Sequence, residues 1–436
     1  MTSTPVVSIG KPAMSKVRWQ VFAILLLLMA INYVDRAVLA IAMPAIQKDL
    51  GLDPAAVGVV LSAFFWGYAT MQLPSGWLAD RFKPEKLVIG AALAWGLVQT
   101  LTGFAASSRV LISLRVLLGV SEAPLYPAGA KLQSIWLSSK ERGRGATLLD
   151  GGAPLGTAIG GPIIVAFMAW FGGWRGALVG AGVLTMIVGY LSWLVIRGGL
   201  EGNKRVNEAE REYIKTALTA EFESRGSERG ANATAKDYAS SRSVYGMCLG
   251  WASSAVIFYG LLTWGPSYLA KTQNIKIATI GYSTLIIFGS GFIGEMIAGW
   301  ISDTWRKRGG SYNTVMHTIF VISGIMTTSA VILLRYTTSL FQAIGLLSIA
   351  LFFVRWAGLY WSVPAAISQR EHVGLVGSVM NICSNTMGIL TPLAVGIIVS
   401  RTGSYDMALM MFAVSGGIFT LSSFMIDFTR KVGDPR

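Results

Sequence analysis

The sequence predicts an all-α membrane protein in which twelve transmembrane helices form two six-helix halves. Of its 436 residues, 53% are hydrophobic and only 13% are charged, whereas soluble proteins carry about 25% charged residues. Apolar runs of roughly 20 residues, the length that crosses a hydrocarbon core of about 30 Å, recur along the whole chain. One long polar stretch, residues 198–242, divides these runs into six and six.

Each predicted span is one of these apolar runs. The backbone groups of a segment in lipid must be hydrogen-bonded within the protein, and a helix satisfies almost all of its own. The twelve spans are predicted at residues 18–43, 56–79, 87–106, 110–132, 145–170, 175–197, 243–269, 279–302, 312–334, 339–367, 373–400 and 406–429.

The spans divide the chain into five parts. These are an N-terminal tail of residues 1–17, a first half of 18–197, a linker of 198–242, a second half of 243–429 and a tail of 430–436. Within the linker, Asn207 with Glu210 three residues later resembles a helix-capping box, and an apolar stripe follows. A short amphipathic helix is therefore expected on the cytoplasmic face.

The net charge of +14 is interpreted as a topology signal. Most Lys and Arg residues lie in the linker, the tails and every second loop, as is typical of cytoplasmic segments. Both tails are therefore predicted to be cytoplasmic and the protein to lie in a bacterial inner membrane, with no nucleic-acid partner. The two cysteines, Cys248 and Cys383, fall inside spans, so neither a disulfide framework nor a Cys-rich metal site is expected.

The two halves repeat a sequence pattern. Gly76-Trp77-Leu78-Ala79-Asp80-Arg81 ends the second span, and Gly299-Trp300-Ile301-Ser302-Asp303 ends the eighth. Pro44 and Pro266 lie at the outer ends of the first and seventh spans. They are separated by nearly the same number of residues as the two motifs. Parallel halves of six spans are a transporter architecture in which substrate lies midway between the halves.

Several motifs resemble those of the major facilitator superfamily. The segment from Gly76 to Arg81 is similar to its loop motif, with Lys83-Pro84 in place of the usual Gly-basic continuation. More narrowly, the chain resembles the anion:cation symporter family of galactonate, glucarate and hexuronate proton symporters. This resemblance is carried by Asn32-Tyr33-Val34-Asp35-Arg36, by Arg115-x-x-x-Gly119-x-x-Glu122-Ala123-Pro124-x-x-Pro127, and by Gly377-x-x-x-Asn381 through Thr391-Pro392.

The resemblance implies proton-coupled uptake of small organic anions such as sugar acids, dicarboxylates or aromatic carboxylates. It implies that the proton sites are Asp35 and Glu122, and that substrate contacts include Tyr33, Tyr68, Trp361 and Asn381. Where the family's galactonate carriers have a substrate-contacting Gln, this chain has Ala153. The resemblance therefore leaves the particular anion open.

Asp35 and Arg36 fall near the middle of the first predicted span. Placing an ionisable residue inside a membrane span costs free energy, so such residues are functional candidates by default. Adjacent helical residues point about 100° apart, so the two cannot both face one partner. Arg36 is assigned to the substrate carboxylate, which its planar guanidinium can bind through two hydrogen bonds, and Asp35 to a proton. The alternative is that both belong to a structural ion network.

Arg115 and Glu122 lie seven residues apart on one face of the fourth predicted span. Pro124 and Pro127 are expected to loosen the helix just beyond Glu122. If Arg115 moves away or pairs with substrate, the Glu122 carboxyl can take up a proton and later release it. A purely structural salt bridge is the alternative.

Arg355, in the tenth predicted span, departs from the galactonate-type pattern. It offers a second cationic group in the opposite half, suited to a dianion or to an aromatic acid held by stacking and carboxylate pairing. The alternative is a structural partner for Glu295 or Asp150, in the eighth and fifth spans. Those two acids are either extra proton stations or partners of gate residues.

An inner gate is predicted where the repeated motifs end. A carboxylate at a helix end can meet the positive N-terminus of a neighbouring helix, an interaction that exists in only one arrangement of the halves. The predicted gate and ion-pair residues are Asp80, Arg81, Asp303, Arg115 and Lys131. Simple helix capping is the alternative for the acids.

An enzyme is not expected, because the sequence shows no nucleophile, metal-ligand set or cofactor loop. The predicted partners are an organic anion, protons as the coupling ion and the lipid bilayer, and the functional unit is predicted to be a monomer with no cofactor or metal. A proton-coupled drug or metabolite exporter of the same superfamily is the nearest alternative, and a non-transporting sensor a more distant one. Arginines at mid-membrane favour anions over lipophilic cations.

Overall fold

The computed structural model describes residues 14–52, 54–224, 233–273 and 277–433, and within these ranges it contains no strand. The N-terminal half consists of α1 (Val17–Leu50), α2 (Pro54–Arg81), α3 (Pro84–Thr102), α4 (Ser108–Glu122), α5 (Leu125–Trp136), α6 (Arg142–Asp150), α7 (Gly152–Trp170) and α8 (Trp174–Ile196).

The linker holds three helices, α9 (Gly199–Gly202), α10 (Glu208–Ser224) and α11 (Ala235–Ala239). The C-terminal half consists of α12 (Arg242–Gln273), α13 (Ile277–Lys307), α14 (Tyr312–Leu334), α15 (Leu340–Val354), α16 (Val363–Ile367), α17 (Val373–Thr402) and α18 (Asp406–Ser423), with 3₁₀ segments at Arg355–Ser362 and Arg370–His372.

Ten helical segments in the described part of the chain are long and apolar enough to cross a membrane. The all-α membrane architecture is therefore confirmed. Two further long helices, α2 and α3, pack against α4 and α8 respectively. The full count of twelve spans stays a prediction.

Three of the spans are interrupted next to buried ionisable residues. Glu122 is the last residue of α4, Asp150 is the last residue of α6, and Arg355 opens the 3₁₀ segment after α15. The first break follows from Pro124, which has no backbone N–H to continue the helix. Interrupted helices within a membrane protein are tolerated where they are buried in protein or line a cavity.

The two halves meet along two pairs of helices. The α2 and α5 helices of the first half pack against α17, and α6 and α7 pack against α13. Each half thus contributes the helix that carries its repeated motif, α2 in one case and α13 in the other. A site shared by the halves can form in the space between the contact of α2 and α5 with α17 and the contact of α6 and α7 with α13.

The linker helix α10 is fastened to the N-terminal half. The buried Glu210 carboxylate accepts hydrogen bonds from the backbone N–H groups of Val17 (2.9 Å) and Arg18 (3.2 Å), at the start of α1. Glu221 accepts a hydrogen bond of 2.8 Å from Arg142, at the start of α6. We call the end of the molecule on which α10 lies the linker end.

Candidate functional site

A cavity between the halves holds about 380 Å³ of space not filled by atoms. Most of its walls are aromatic rings and amide or hydroxyl groups, with Arg36 on one side and Asp150 and Arg355 on the other. The lining residues are Tyr33, Arg36, Tyr68, Tyr126, Asp150, Trp251, Ser254, Ala255, Phe258, Tyr259, Arg355, Asn381, Ser384 and Asn385.

Arg36 is surrounded by rings. Its guanidinium carbon lies 4.7 Å from the ring centres of Tyr33 and Phe64, and 5.1 Å from that of Tyr68. Its nearest acid is Glu122, with Nη2 and Oε2 3.5 Å apart, a contact that lacks hydrogen-bond geometry. Within the described ranges, its buried Nε and Nη2 atoms have no hydrogen-bond partner. Arg36 therefore presents unused donors beside the cavity.

Arg115 lies near the same cluster but does not reach Glu122. Its guanidinium carbon is 5.2 Å from the Phe64 ring. In the described part of the chain, the ion pair at Glu122 is made by Arg36 and not by Arg115. The span-four acid and the span-one base are thus brought together, a pairing across helices that spacing along one helix could not reveal.

Asp35 lies on a different face of α1 and does not line the cavity. Its Oδ2 atom accepts hydrogen bonds from the Trp95 indole (3.1 Å) and the Thr185 hydroxyl (2.9 Å), on α3 and α8. The side chain is fully buried. The expected divergence of Asp35 and Arg36 is present, and Trp95 and Thr185 are partners that sequence reasoning missed.

Arg355 is held by two acids. Its Nε and Nη2 atoms donate to Glu295 Oε2 at 3.1 and 2.8 Å, and Nη2 also donates to Asp150 Oδ2. Trp361 donates from its indole to Asp150 Oδ1 at 3.2 Å. This geometry favours the structural-partner alternative for Arg355, because the two acids already occupy its Nε and Nη2 donors.

The predicted polar contacts differ in how they face the cavity. Tyr33, Tyr68 and Asn381 line it, and the Asn381 amide donates to the Tyr68 hydroxyl at 3.3 Å. Trp361 lies outside the lining, where it stacks on Tyr126 with ring centres 4.6 Å apart. This stack joins α5 of one half to the 3₁₀ segment of the other.

Several lining residues were missed as site candidates by sequence reasoning. They carry no charge, so nothing in composition separates them from the many other aromatic and polar residues of the spans. Spacing offers one signal for two of them, since Tyr126 lies four residues after Glu122 and Ser384 lies three after Asn381. The missed residues are Tyr126, Trp251, Ser254, Phe258, Tyr259 and Ser384.

Asp80 joins the halves at the linker end. Its two oxygens accept hydrogen bonds from the backbone N–H groups of Gly374 (3.0 Å) and Leu375 (2.9 Å), in the first turn of α17. Lys131 pairs with the same carboxylate at 2.9 Å. Arg81 instead lies beside Trp77, with its guanidinium carbon 5.7 Å from the ring. A carboxylate at a helix N-terminus is stabilised by the helix dipole.

Asp303 makes the equivalent contact in the opposite direction. It accepts hydrogen bonds from the backbone N–H groups of Gly143 (2.9 Å) and Arg144 (3.1 Å), at the start of α6. The Arg144 side chain lies 3.5 Å from the same carboxylate. Each half therefore places one acid on a helix N-terminus of the other half, and both contacts lie at the linker end.

The glycines of the repeated motif let the halves approach this closely. A Cβ atom at Gly299 would overlap the Thr147 hydroxyl and lie 3.0 Å from the carbonyl oxygen of Gly143. One at Gly76 would lie 2.9 Å from the carbonyl oxygen of Gly374. The sequence Gly-Trp-x-x-Asp thus combines a close approach with a helix-capping acid four residues later.

We expect Gly299→Leu to separate the halves at the linker end, because the added side chain has no space against α6. The measurement is the distance between spin labels at Lys140 and Arg308, one exposed position in each half. The label distance should lengthen in Gly299→Leu. Gly289→Leu is the matched control on the same helix, since a Cβ there meets nothing within 4 Å. Equal distances in both variants would contradict the proposed contact.

Comparison with known proteins places these features in a family. The sequence pattern of the Major Facilitator Superfamily matches residues 25–392. The probable galactarate/D-glucarate transporter of Bacillus subtilis (strain 168) is 30% identical, over 94% of this chain and 92% of that protein. The hexuronate transporter of the same organism is 30% identical over 96% of each chain. The probable sulfoacetate transporter of Cupriavidus necator is 28% identical over 96% of each.

Solved structures show the same fold. The proton:xylose symporter XylE bound to 6-bromo-6-deoxy-D-glucose matches with a TM-score of 0.67 and 12% identity, over 93% of this chain and 94% of that one. FucP in the outward conformation matches with a TM-score of 0.68 and 12% identity, over 94% and 100%. The relatives and neighbours are transporters and not enzymes, and the relatives are of the anion:cation symporter type that the sequence motifs resemble. This chain belongs to the Major Facilitator Superfamily and is a multi-pass membrane transporter.

Proposed function

We propose that this transporter takes up small organic anions together with protons by alternating access. Arg36 is the observation that carries the proposal. It presents buried guanidinium donors without hydrogen-bond partners in the described ranges, beside a cavity between the two halves. A carboxylate is the group whose geometry and charge best match such a guanidinium. We place the protein in a bacterial inner membrane with both termini in the cytoplasm.

Glu122 supports the coupling of the anion to a proton. The Glu122 carboxylate and the substrate carboxylate compete for the same cation, Arg36. The contact between Glu122 Oε2 and Arg36 Nη2 is loose, at 3.5 Å. When substrate takes Arg36, Glu122 is left buried without a close counter-charge, which favours its protonation. Substrate and proton are then bound together and released together. Asp35 is the second proposed proton site, buried behind α1.

The state of Arg355 bears on which anion is carried. Arg355 is already bonded to two acids, so a second substrate carboxylate would find its charge compensated. The aromatic walls formed by Trp251, Phe258 and Tyr259 suit a sugar ring or an aromatic ring. We therefore favour monocarboxylates, such as sugar acids or aromatic acids, over dicarboxylates. Among the relatives, the hexuronate transporter is named for a sugar monocarboxylate, whereas galactarate and D-glucarate are sugar dicarboxylates. The names of the relatives therefore support sugar acids in general, and the preference for monocarboxylates rests on Arg355.

The test is uptake by purified protein in proteoliposomes with an imposed pH gradient, acid outside. The panel contains a hexonate, a hexuronate, a hexarate and an aromatic monocarboxylate. We expect accumulation of at least one monocarboxylate that stops when a protonophore collapses the gradient. Accumulation that continues after the protonophore is added would contradict proton coupling. A preference for the hexarate would contradict the monocarboxylate assignment.

We expect Arg36→Lys to weaken binding of every transported carboxylate. Lysine keeps the charge but loses the paired donors of the guanidinium. A hydrogen bond to a charged group contributes about 1.5–3 kcal/mol, so the loss should be roughly ten- to hundredfold in Kd. Binding is measured on detergent-purified protein. Arg335→Lys, at a surface position in the C-terminal half, is the control and should leave Kd unchanged. Equal affinities for Arg36→Lys and wild type would show that Arg36 does not bind the substrate carboxylate.

A further inference from the structure

Asp150, Glu295 and Arg355 form a buried cluster that spans the two halves, which we call the triad. Asp150 ends α6 in the N-terminal half, whereas Glu295 on α13 and Arg355 after α15 belong to the C-terminal half. Both acids bond to the same Nη2 atom of Arg355. All three residues are at most 5% exposed. The triad is separate from the Arg36–Glu122 pair across the cavity.

The charges of the triad do not balance when both acids are ionised. Two carboxylates and one guanidinium leave one negative charge inside a membrane protein, and an uncompensated buried charge is strongly destabilising. A third group with positive charge, or a proton, is therefore required.

The surroundings supply no further cation in the described part of the chain. Tyr33 on α1 and the Phe258 ring on α12 face Arg355, and Trp361 donates to Asp150. Arg306 and Lys307 lie in the last turn of α13, eleven and twelve residues from Glu295. Four other basic side chains on the elements packed against the triad have acids of their own. These pairs are Arg36–Glu122, Lys131–Asp80, Arg144–Asp303 and Arg142–Glu221.

The two acids are close enough to share a proton. Both carboxyl groups bond to the same Nη2 atom of Arg355, which brings them side by side, and a hydrogen bond between two carboxyl groups exists only when one of them is protonated. Glu295 Oε1 is buried without another hydrogen-bond partner in the described ranges. It lies against Gly358, where a Cβ atom would overlap it, so glycine leaves the space that this oxygen occupies.

We propose that the Asp150–Glu295 pair binds one proton and is a further proton-coupling site of this transporter. The coupling role rests on the proposed function, whereas the bound proton does not. In the arrangement described, with the linker end joined, the triad is neutral as one guanidinium, one carboxylate and one carboxylic acid. When the halves rotate, Asp150 moves away with its own half. Arg355 and Glu295 then form a balanced pair, and Asp150, exposed to water between the separated halves, releases the proton to that water and remains as a hydrated carboxylate.

The bound proton can be tested without transport. Infrared spectra of the purified protein report the carbonyl stretch of each neutral carboxylic acid. We expect Glu295→Gln and Asp150→Asn each to remove one carboxylic acid from the spectrum at neutral pH, because either change leaves a balanced pair with Arg355. The double variant should remove no more than either single variant, since one proton is shared. Undiminished absorption in both single variants would overturn the proposal.

The coupling role is tested by the charge moved per substrate. In proteoliposomes, the reversal potential at a fixed pH gradient gives the number of protons that accompany each anion. We expect Glu295→Gln to move one proton fewer than wild type while keeping substrate exchange, and Asp49→Asn, an exposed surface pair with Arg175, to match wild type. Asp150→Asn carries the same expectation if Glu295→Gln does not fold. An unchanged ratio together with the infrared loss would leave a structural proton and refute coupling at the triad.

Discussion

Arg355→Gln is expected to destabilise the protein by about 3–5 kcal/mol, because it removes the cation to which two buried acids are bonded. Arg355 bonds to both Asp150 and Glu295, so its loss leaves acid on both sides of the interface between the halves. The measurement is thermal unfolding of detergent-purified protein. The unfolding midpoint should fall well below that of wild type, even without substrate.

Two further variants separate this expectation from a general effect of losing an arginine. Arg335→Gln removes a guanidinium that is one-third exposed and lies 3.8 Å from Asp406, and such exposed pairs contribute only about 0–1 kcal/mol. Adding Glu295→Gln and Asp150→Asn to Arg355→Gln makes the triad neutral and should restore most of the lost stability. If Arg355→Gln alone unfolds normally but binds dianions more weakly, the arginine is a substrate clamp after all.

The fold could be predicted because the bilayer imposes a simple rule on sequence. Spans must be apolar and about 20 residues long, so the helical segments of each half were visible without any tertiary information. The repeated Gly-Trp-x-x-Asp motif likewise predicted that Asp80 and Asp303 would act at corresponding places. The structure shows what the glycine adds, which is a close approach of Gly299 to α6 and of Gly76 to α17.

The pairing of the ionisable residues could not be predicted in the same way. The sequence placed both acids and bases within the spans, but helix packing determines which of them pair. Glu122 pairs with Arg36 on another helix and not with Arg115 on its own. Arg355 reaches its two acids from a 3₁₀ segment, and that change of helix geometry has no clear signal in the sequence around it.

The positions of Asp35 and Arg36 around the axis of α1 explain why the two side chains have different surroundings. The angle of about 100° between adjacent residues required different surroundings for the two, and it could not say which one faces the cavity. Packing settles this, since α3 and α8 offer Asp35 two hydrogen-bond donors, Trp95 and Thr185. Asp35 can therefore exchange a proton with the cavity only through a change in how these helices pack.

Glu122→Gln is expected to abolish gradient-driven accumulation while keeping exchange of substrate across the membrane. The glutamine cannot carry a proton, so the internal concentration should rise no higher than the external one. Exchange needs no net movement of protons and requires only that Arg36 binds the anion. Because Glu122 is the nearest acid to Arg36, its loss should leave substrate affinity equal to that of wild type or higher. Asp35→Asn is expected to lose accumulation in the same way.

Uptake with an imposed pH gradient and counterflow of labelled substrate without one are measured on the same proteoliposomes. Glu208→Gln is the matched control, because its carboxylate is 77% exposed on the linker helix and pairs with Arg211 three residues later. That variant should retain both activities. Equal loss of accumulation and exchange in Glu122→Gln would identify Glu122 as a structural partner of Arg36. If Glu122→Gln retains both accumulation and exchange, the coupling protons are carried by the other buried acids, Asp35 and the Asp150–Glu295 pair.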